Sequence, residues 1–171
     1  PVPHIIINHP EAAGFTIHKL APRMDAGAIL YQEHFPLGAR ETVETLSERI
    51  AQRGTEALVK VMADLPRFWK EAKPQDESKA THFPPPDDNL RLLDWTKSVA
   101  EIDRTARAFG KYGSLAPFDD ALWAVYEHEV RQEKHNLKPG TIAARAENSV
   151  TLAASDGFIK LKAFEKIQSR Q

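Results

Sequence analysis

The side chain best placed to do chemistry in this chain is Asp25, within the run GFTIHKLAPRMDAGAIL of residues 14–30. A short β-forming stretch leads to an Asp-Ala-Gly turn, and a second apolar strand is predicted to follow at once. Arg23 is the only cation within three residues. A carboxylate at a strand end can be partly buried, so that its protonation and orientation are tuned for proton transfer. The alternative is an ordinary turn, because aspartate is a common turn residue.

The composition narrows the function classes. Of the 171 residues, 42% are hydrophobic and 27% are charged, and the formal net charge is −1. This balance gives no general signal for nucleic acid or for a membrane surface. The chain has no cysteine, which excludes a thiol nucleophile and a thiolate metal site. No apolar run approaches the ~20 residues that cross a bilayer, and no signal peptide is recognisable, so the sequence predicts a cytoplasmic location.

The histidines show no metal-site pattern. None of the seven forms the i, i+4 pair of a helical zinc site. Glu127 and Glu129 flank His128 and share one face of a predicted strand, but without further ligands the trio predicts no metal centre. His18, on the first predicted strand, indicates packing or a hydrogen bond.

Two helices are predicted in the first part of the chain. A short helix ends before Pro10, since proline prevents its continuation, and His9 is read as a helix-end residue rather than a catalytic base. Residues 42–65 form an amphipathic helix, because apolar side chains recur there at three- and four-residue spacing. Thr42 is the expected N-cap. Gly54 costs about 1 kcal/mol relative to alanine in a helix. A glycine at this position is therefore expected to allow close packing of the helix on a sheet.

A proline-rich stretch divides the chain into three segments. Residues 73–89 hold four prolines and a single large apolar side chain, Phe83. A proline run favours extended polyproline geometry and acts as a semi-rigid spacer. We therefore predict a first segment at 1–72, a linker at 73–89 and a third segment at 90–171.

The third segment predicts one helix followed by several strands. A capping box from Ser98 to Glu101 begins the helix. Pro-Gly and Asp-Gly pairs supply turn signals between the strands. In the last run, apolar residues alternate with lysines, which indicates one buried and one exposed face. Strands are expected over 121–130, 141–147, 149–155 and 158–164, a spacing typical of a small barrel.

The stretch around Asp25 resembles the folate-dependent formyltransferases. Gly14 and Thr16 stand in that family's Gly-aliphatic-Thr-aliphatic motif, and Asp25 and Gly27 stand in its Asp-x-Gly motif, with an aliphatic strand after it. The sequence DAGAI at residues 25–29 is most similar to that of amino-sugar nucleotide formyltransferases, whereas methionyl-tRNA formyltransferases more often have Asp-Thr-Gly at the start of this motif. By this resemblance the sequence opens just after the family's Asn-x-His-x-Ser-Leu-Leu-Pro signature.

The resemblance continues into the third segment. It implies an α/β plus β protein, in which the C-terminal part of a Rossmann-like formyltransferase domain precedes a small open β-barrel of the oligonucleotide-binding type. Residues 111–115 depart from the family's Pro-Trp-Pro-Gly-Ala. The matching motifs of the C-terminal domain are Leu93-Asp94-Trp95, Arg107-Ala108-Phe109, Pro139-Gly140-Thr141-Ile142 and Ser155-Asp156-Gly157.

The resemblance also implies an activity. Such enzymes move a formyl group from 10-formyltetrahydrofolate to an amine of methionyl-tRNA or of an amino-sugar nucleotide. It implies a catalytic role for Asp25 beside the signature histidine, and contact with the pterin ring for the backbone of Pro22, Arg23 and Met24. Because the signature Asn and His are absent from this sequence, we expect the chain alone to be inactive.

Two further functions stay open. From Arg131 to Gln171 the chain carries eight Lys and Arg against four Asp and Glu. This excess would suit an RNA- or tRNA-binding barrel, although Phe158 and Phe164 do not form a dense stacking set. The second is a catalytically dead scaffold, which would lack the signature in the natural gene.

Overall fold

The computed structural model describes residues 2–167, so Pro1 and residues 168–171, with the outer limits predicted for the first and third segments, lie outside it. The helices of this part are α1 (Val2–Asn8), α2 (Val43–Ala63), α3 (Leu65–Lys70) and α4 (Val99–Phe109). None of them has the length and apolar content that a bilayer crossing requires. The strands are β1 (Gly14–His18), β2 (Ile29–His34), β3 (Ser114–Phe118), β4 (Ala121–Gln132), β5 (Ile142–Ala146), β6 (Ser149–Ala153) and β7 (Gly157–Lys166).

The first segment is built on a hairpin. Strands β1 and β2 pair antiparallel, with Gly14 opposite His34, and α2 packs on the hairpin. Gly54 lies at this contact, since a Cβ at that position would sit 3.9 Å from the Phe15 ring. This is an ordinary van der Waals distance, so α2 contacts the hairpin at Gly54 but leaves room there for a methyl group. Between residues 2 and 72 this antiparallel pair is the sheet described, and the parallel strands of a Rossmann-like domain are not seen there.

Capping decides where the helices of the first segment begin and end. The hydroxyl of Thr42 accepts a hydrogen bond from the Thr45 amide, so the predicted N-cap is confirmed. The predicted end of α2 at residue 65 is wrong. Asp64 leaves the helical backbone at φ −142°, and a new helix, α3, begins at the next residue with Pro66 in its first turn. Proline is tolerated there because its missing N–H needs no intrahelical partner.

The third segment forms a five-stranded antiparallel sheet in the order β3-β4-β7-β6-β5. Within residues 2–167 no ladder joins β3 to β5, so the sheet has two edges. Its core face packs under α4, where Ile102 meets Leu152, Ile159 and Leu161. The alternation predicted for the last strand is confirmed, since Ile159 and Leu161 are fully buried.

Strand β3 was not predicted, and Pro117 is the reason. A proline lacks the N–H that a central strand must donate, so its presence argues against a strand. Here β3 is at the edge of the five-stranded sheet, with Pro117 opposite Leu122 of β4. On its other side β3 is bridged to the chain at Leu92–Leu115, two residues before the proline. The remaining side chains of β3 are buried, which explains why the chain adopts a strand despite the proline.

The first and third segments share a hydrophobic core. Ile6 of α1 and Leu46 of α2 pack with Ala108 and Phe109 at the end of α4. All four are buried. Apolar packing therefore holds α4 against the first segment as well as against the sheet.

The predicted linker is tied to the first segment along its length. It contains one 3-10 turn, Glu77–Lys79, and is otherwise irregular. The Phe83 ring lies 5.1 Å from the His4 ring and 5.0 Å from the His9 ring. His4 Nε2 donates to the Pro84 carbonyl oxygen at 3.1 Å. These contacts anchor the proline run against α1.

Candidate active site

The loop between β1 and β2, residues 19–28, carries the predicted site residues. It closes tightly at Gly27, where a Cβ would lie 1.6 Å from the Lys19 carbonyl oxygen. Only glycine fits this approach, which gives the Asp-x-Gly motif a structural reason. The Lys19 amide donates to the Ala28 carbonyl at 2.9 Å, and this bond extends the hairpin into the loop.

Residues of the predicted linker hold this loop in place. Ile29 and Lys73 exchange two backbone hydrogen bonds, of 2.7 and 3.0 Å. The side-chain amide of Gln75 donates to the carbonyl oxygens of Asp25, at 2.7 Å, and of Gly27, at 2.8 Å. The beginning of the linker therefore acts as a brace beside β2, a function that its composition did not reveal.

Asp25 lies at the turn as predicted, but it is not buried. Its backbone has φ 55°, in the left-handed region that aspartate tolerates better than most residues. Its side chain is 86% exposed. The expectation of a partly buried carboxylate is wrong for this structure, because no packed side chain covers the tip of the loop within the described residues.

His18 is the partner of Asp25 that the sequence did not reveal. Its Nδ1 lies 2.9 Å from the Lys19 carbonyl oxygen, and because a carbonyl only accepts, Nδ1 carries a proton. The Nε2 atom then faces the Asp25 Oδ1 at 3.7 Å. The hydrogen bond expected of His18 is thus confirmed. The proximity of His18 to Asp25, seven residues later in the sequence, arises because the loop folds back on the end of β1.

At 3.7 Å the two side chains are close enough for an ion pair but too far apart for a direct hydrogen bond. His18 is 29% exposed, so one side of the pair is held by protein and the other is open. Such a pair can accept a proton from a bound group and release it to solvent.

The other three predicted residues lie on the exposed outer part of the loop. Pro22, Arg23 and Met24 are all exposed. Arg23 forms an ion pair with Glu77 of the linker, so its charge is directed towards the linker and not towards Asp25. The backbone of this stretch is open to a ligand.

His9 and the glutamates of β4, which the sequence singled out, have structural roles. His9 Nδ1 lies 3.2 Å from the Glu11 carboxylate, at the end of α1 and before β1. A β-bulge at Glu127 interrupts the register of β4 with β7. Residues 2–167 contain no grouping of three or more side chains that could hold a metal ion.

A second polar cluster, which the sequence analysis missed, joins α4 to its neighbours. His128 Nε2 donates to Asp103 Oδ1 at 2.9 Å, and Arg107 Nε donates to Asp103 Oδ2 at 2.8 Å. Arg107 also donates to the Glu41 carbonyl oxygen. Burial opposes ionisation of Asp103, yet the hydrogen bonds from His128 and Arg107 and the charge of Arg107 lower its pKa from 3.8 to about 2. The i, i+4 spacing of Asp103 and Arg107 was the one available sequence signal.

Family models match both segments of the chain. The model described as "Formyl transferase" matches residues 3–62, and the model described as "Formyl transferase, C-terminal domain" matches residues 87–170. The two matches leave residues 63–86 between them.

Similar proteins point the same way. A methionyl-tRNA formyltransferase of Treponema denticola is 30% identical over 97% of this chain and 54% of its own length, and one of Gluconobacter oxydans is 27% identical over 97% and 53%. The chain thus spans about half the length of the curated relatives it matches.

Solved structures share the fold. HypX from Aquifex aeolicus in complex with tetrahydrofolic acid has a TM-score of 0.79 at 17% identity, covering 98% of this chain and 29% of that one. An N-formyltransferase from Helicobacter canadensis, in complex with folinic acid and dTDP-3-aminofucose, has a TM-score of 0.66 at 19% identity, covering 95% and 59%. Taken with the two family models, these likenesses show that the chain belongs to the formyltransferase family.

Proposed function

We propose that this chain forms part of an enzyme that transfers a formyl group from 10-formyltetrahydrofolate to an amine, with Asp25 steering the proton that the amine loses. The observation that carries the proposal is the placement of His18 Nε2 3.7 Å from Asp25 Oδ1, at the turn that bears the Asp-x-Gly motif. The family membership supports the reaction class. The folates bound to the structural neighbours support the choice of a folate donor.

The reaction sets three requirements. The amine nitrogen attacks the formyl carbon and negative charge develops on the formyl oxygen; the bond to the folate nitrogen then breaks, the amine loses a proton and the folate nitrogen gains one. The oxygen needs a hydrogen-bond donor, and the nitrogen needs a proton acceptor. The third need is a group that orients the acceptor, and this is the role proposed for Asp25.

Asp25 and His18 suit the third role better than the first two. A carboxylate repels a developing oxyanion, so Asp25 does not stabilise it. The pair can instead take up a proton and pass it to water, since Asp25 is open to solvent. The sequence contains no Asn-x-His-x-Ser-Leu-Leu-Pro run, and in the resemblance that signature supplies the donor and the acceptor. We therefore propose that the chain by itself does not turn over.

For the folate, we propose contact with the backbone of Pro22, Arg23 and Met24. These residues are exposed on a loop whose C-terminal half is braced by Gln75 and by the Ile29–Lys73 pair. A braced loop presents its backbone groups with little loss of conformational entropy on binding. For the acceptor, we propose an amine of methionyl-tRNA or of an amino-sugar nucleotide; the sequence relatives carry the first name.

The proposal is tested in two steps on the purified chain. Titration with folinic acid, a stable relative of the donor, is followed by amide NMR; we expect shifts concentrated in residues 18–27, and their absence at millimolar ligand would reject the folate site. The chain is then assayed with 10-formyltetrahydrofolate and candidate amines. We expect no turnover; substantial turnover that Asp25→Asn abolishes and Asp120→Asn does not would refute the proposed inactivity.

A further inference from the structure

The segment from the end of α3 into the linker, residues 69–77, lies beside the loop that carries Asp25. We call this segment the strap. Its backbone and side chains bond to the loop at both ends and in the middle, and the loop residues that they reach are Lys19, Arg23, Asp25, Gly27 and Ile29. The contacts made by Gln75 are the ones that fall on the Asp-x-Gly turn itself.

The side-chain amide of Gln75 holds two backbone groups of this turn at once. Its Nε2 donates to the Asp25 carbonyl oxygen at 2.7 Å and to the Gly27 carbonyl oxygen at 2.8 Å. Because carbonyl oxygens only accept hydrogen bonds, the nitrogen of the amide and not its oxygen must face them. An amide nitrogen carries two hydrogens, so both donors of Gln75 are used by the turn.

The backbone conformation of Asp25 needs support from its surroundings. Asp25 has φ 55°, in the left-handed region that is costly for residues with a Cβ atom. Glycine adopts this conformation freely, but glycine has no carboxylate. A residue with a carboxylate stays in this region only when neighbouring groups fix it there. The hydrogen bond from Gln75 to the carbonyl of Asp25 itself is such a constraint.

The second hydrogen bond of Gln75 fixes the other side of the His18 ring. Gly27 is buried, and a Cβ there would lie 3.1 Å from His18 Nδ1, so Gly27 packs directly against the imidazole. On the far side of the ring, Nε2 lies 3.7 Å from Asp25 Oδ1. Gln75 therefore holds both residues that flank His18, although it belongs to a different part of the chain.

The remaining strap contacts are less suited to this task. The side chains of Arg23 and Glu77 are 68% and 55% exposed, and exposed ion pairs contribute little to stability. Lys19 Nζ donates to the Trp69 carbonyl oxygen at 2.8 Å, but this bond lies at the beginning of the loop, away from the turn. Gln75 is partly buried, so its hydrogen bonds compete less with water.

We propose that Gln75 is a positioning residue of the candidate site. It holds the turn from Asp25 to Gly27 in the conformation that places the Asp25 carboxylate beside His18 and presents the loop backbone to a folate. Gln75 acts through the turn, because both of its hydrogen bonds are to backbone carbonyls. The role towards a folate rests on the formyl transfer proposed above, whereas the role in the turn does not.

Two substitutions of Gln75 and one of Glu77 separate these roles. Gln75→Met keeps the length of the side chain and removes both donors. Gln75→Glu keeps its shape but places a carboxylate against two carbonyl oxygens, so its effect at neutral pH should be larger. Glu77→Gln, two residues further along the strap, removes only an exposed ion pair and is the matched control.

The first measurement is ¹⁵N relaxation of the folded chain without ligand. In both Gln75 variants the backbone order parameters of residues 23–28 should fall well below about 0.85, the value typical of a rigid backbone, and Glu77→Gln should leave them unchanged. The second is a titration with folinic acid. Gln75→Met should weaken its binding about tenfold, since two hydrogen bonds that order the loop are lost before the ligand binds. A merely structural role would lower the melting temperature and leave the affinity unchanged.

Each outcome bears on one of the two roles. Unchanged order parameters in both Gln75 variants would overturn the positioning role, whether or not a folate binds. A disordered turn that binds folinic acid as tightly as the wild type, or an equal loss of affinity in Glu77→Gln, would overturn the link between Gln75 and the ligand. If the wild type binds no folinic acid, the folate site is rejected, and the order parameters still decide whether Gln75 holds the turn.

Discussion

Replacing Asp103 by asparagine should remove an acid-sensitive part of the stability of this fold. Asp103 is 14% exposed and accepts hydrogen bonds from His128 and Arg107. These contacts lower its pKa from 3.8 to about 2. Because the pKa is lower in the folded state, the ionised carboxylate stabilises the fold above about pH 4, and this contribution is lost as the pH falls towards 2.

The magnitude follows from the same pKa difference. At 1.36 kcal/mol for each tenfold change in proton affinity, a fall from 3.8 to about 2 corresponds to about 2.4 kcal/mol. Solvent screens part of this interaction, so we expect about 2 kcal/mol. Asparagine keeps the shape of the side chain but cannot carry the charge, and it leaves Arg107 without its anionic partner. Asp103→Asn should therefore lower the free energy of unfolding at pH 7 by at least about 2 kcal/mol.

Urea unfolding monitored by circular dichroism from pH 7 to pH 2 measures both effects. The difference between wild type and Asp103→Asn should be largest at pH 7 and should shrink by about 2 kcal/mol between pH 4 and pH 2. Asp120→Asn, on the exposed β3–β4 turn, is the matched control and should follow the wild type at every pH. Parallel curves for wild type and Asp103→Asn over the whole range would refute the argument.

Two further changes test the packing. Phe109→Ala should lower the free energy of unfolding in urea by about 3–5 kcal/mol, because its ring is buried in the core that joins α4 to the first segment. The control, Tyr112→Ala, changes an exposed side chain and should have little effect. A loss under 1 kcal/mol for Phe109→Ala would contradict the shared core. Gly54→Ala should raise the melting temperature, since a Cβ there meets only Phe15 at 3.9 Å and alanine favours a helix by up to about 1 kcal/mol. Gly140→Ala should lower it, because Gly140 has φ 84° and its Cβ would press on Trp95 at 3.2 Å; equal shifts of the same sign would contradict both assignments.

The elements that the sequence predicted correctly are those with a local physical cause. The capping hydroxyls of Thr42 and Ser98 begin α2 and α4 where expected, because a cap bonds to amides only three residues away. The alternation around Lys160 places β7 correctly, since the side chains of any strand point to opposite faces in turn. Strand β3 was not predicted. Its proline is acceptable only at the edge of a sheet, and which strand lies at an edge is decided when the sheet assembles.

The sequence by itself determined the Asp-x-Gly turn, the family resemblance and most helices and strands, since each is written in neighbouring residues. Only the tertiary structure decided that Asp25 is exposed and faces His18, that Gln75 braces the loop, and that Arg40 shares a groove with Lys160. Gln75 lies 50 residues beyond Asp25, to whose carbonyl it donates, and Lys160 lies 120 residues beyond Arg40 in the sequence. Contacts over such separations form when packed cores fix the path of the chain, and no local propensity encodes them.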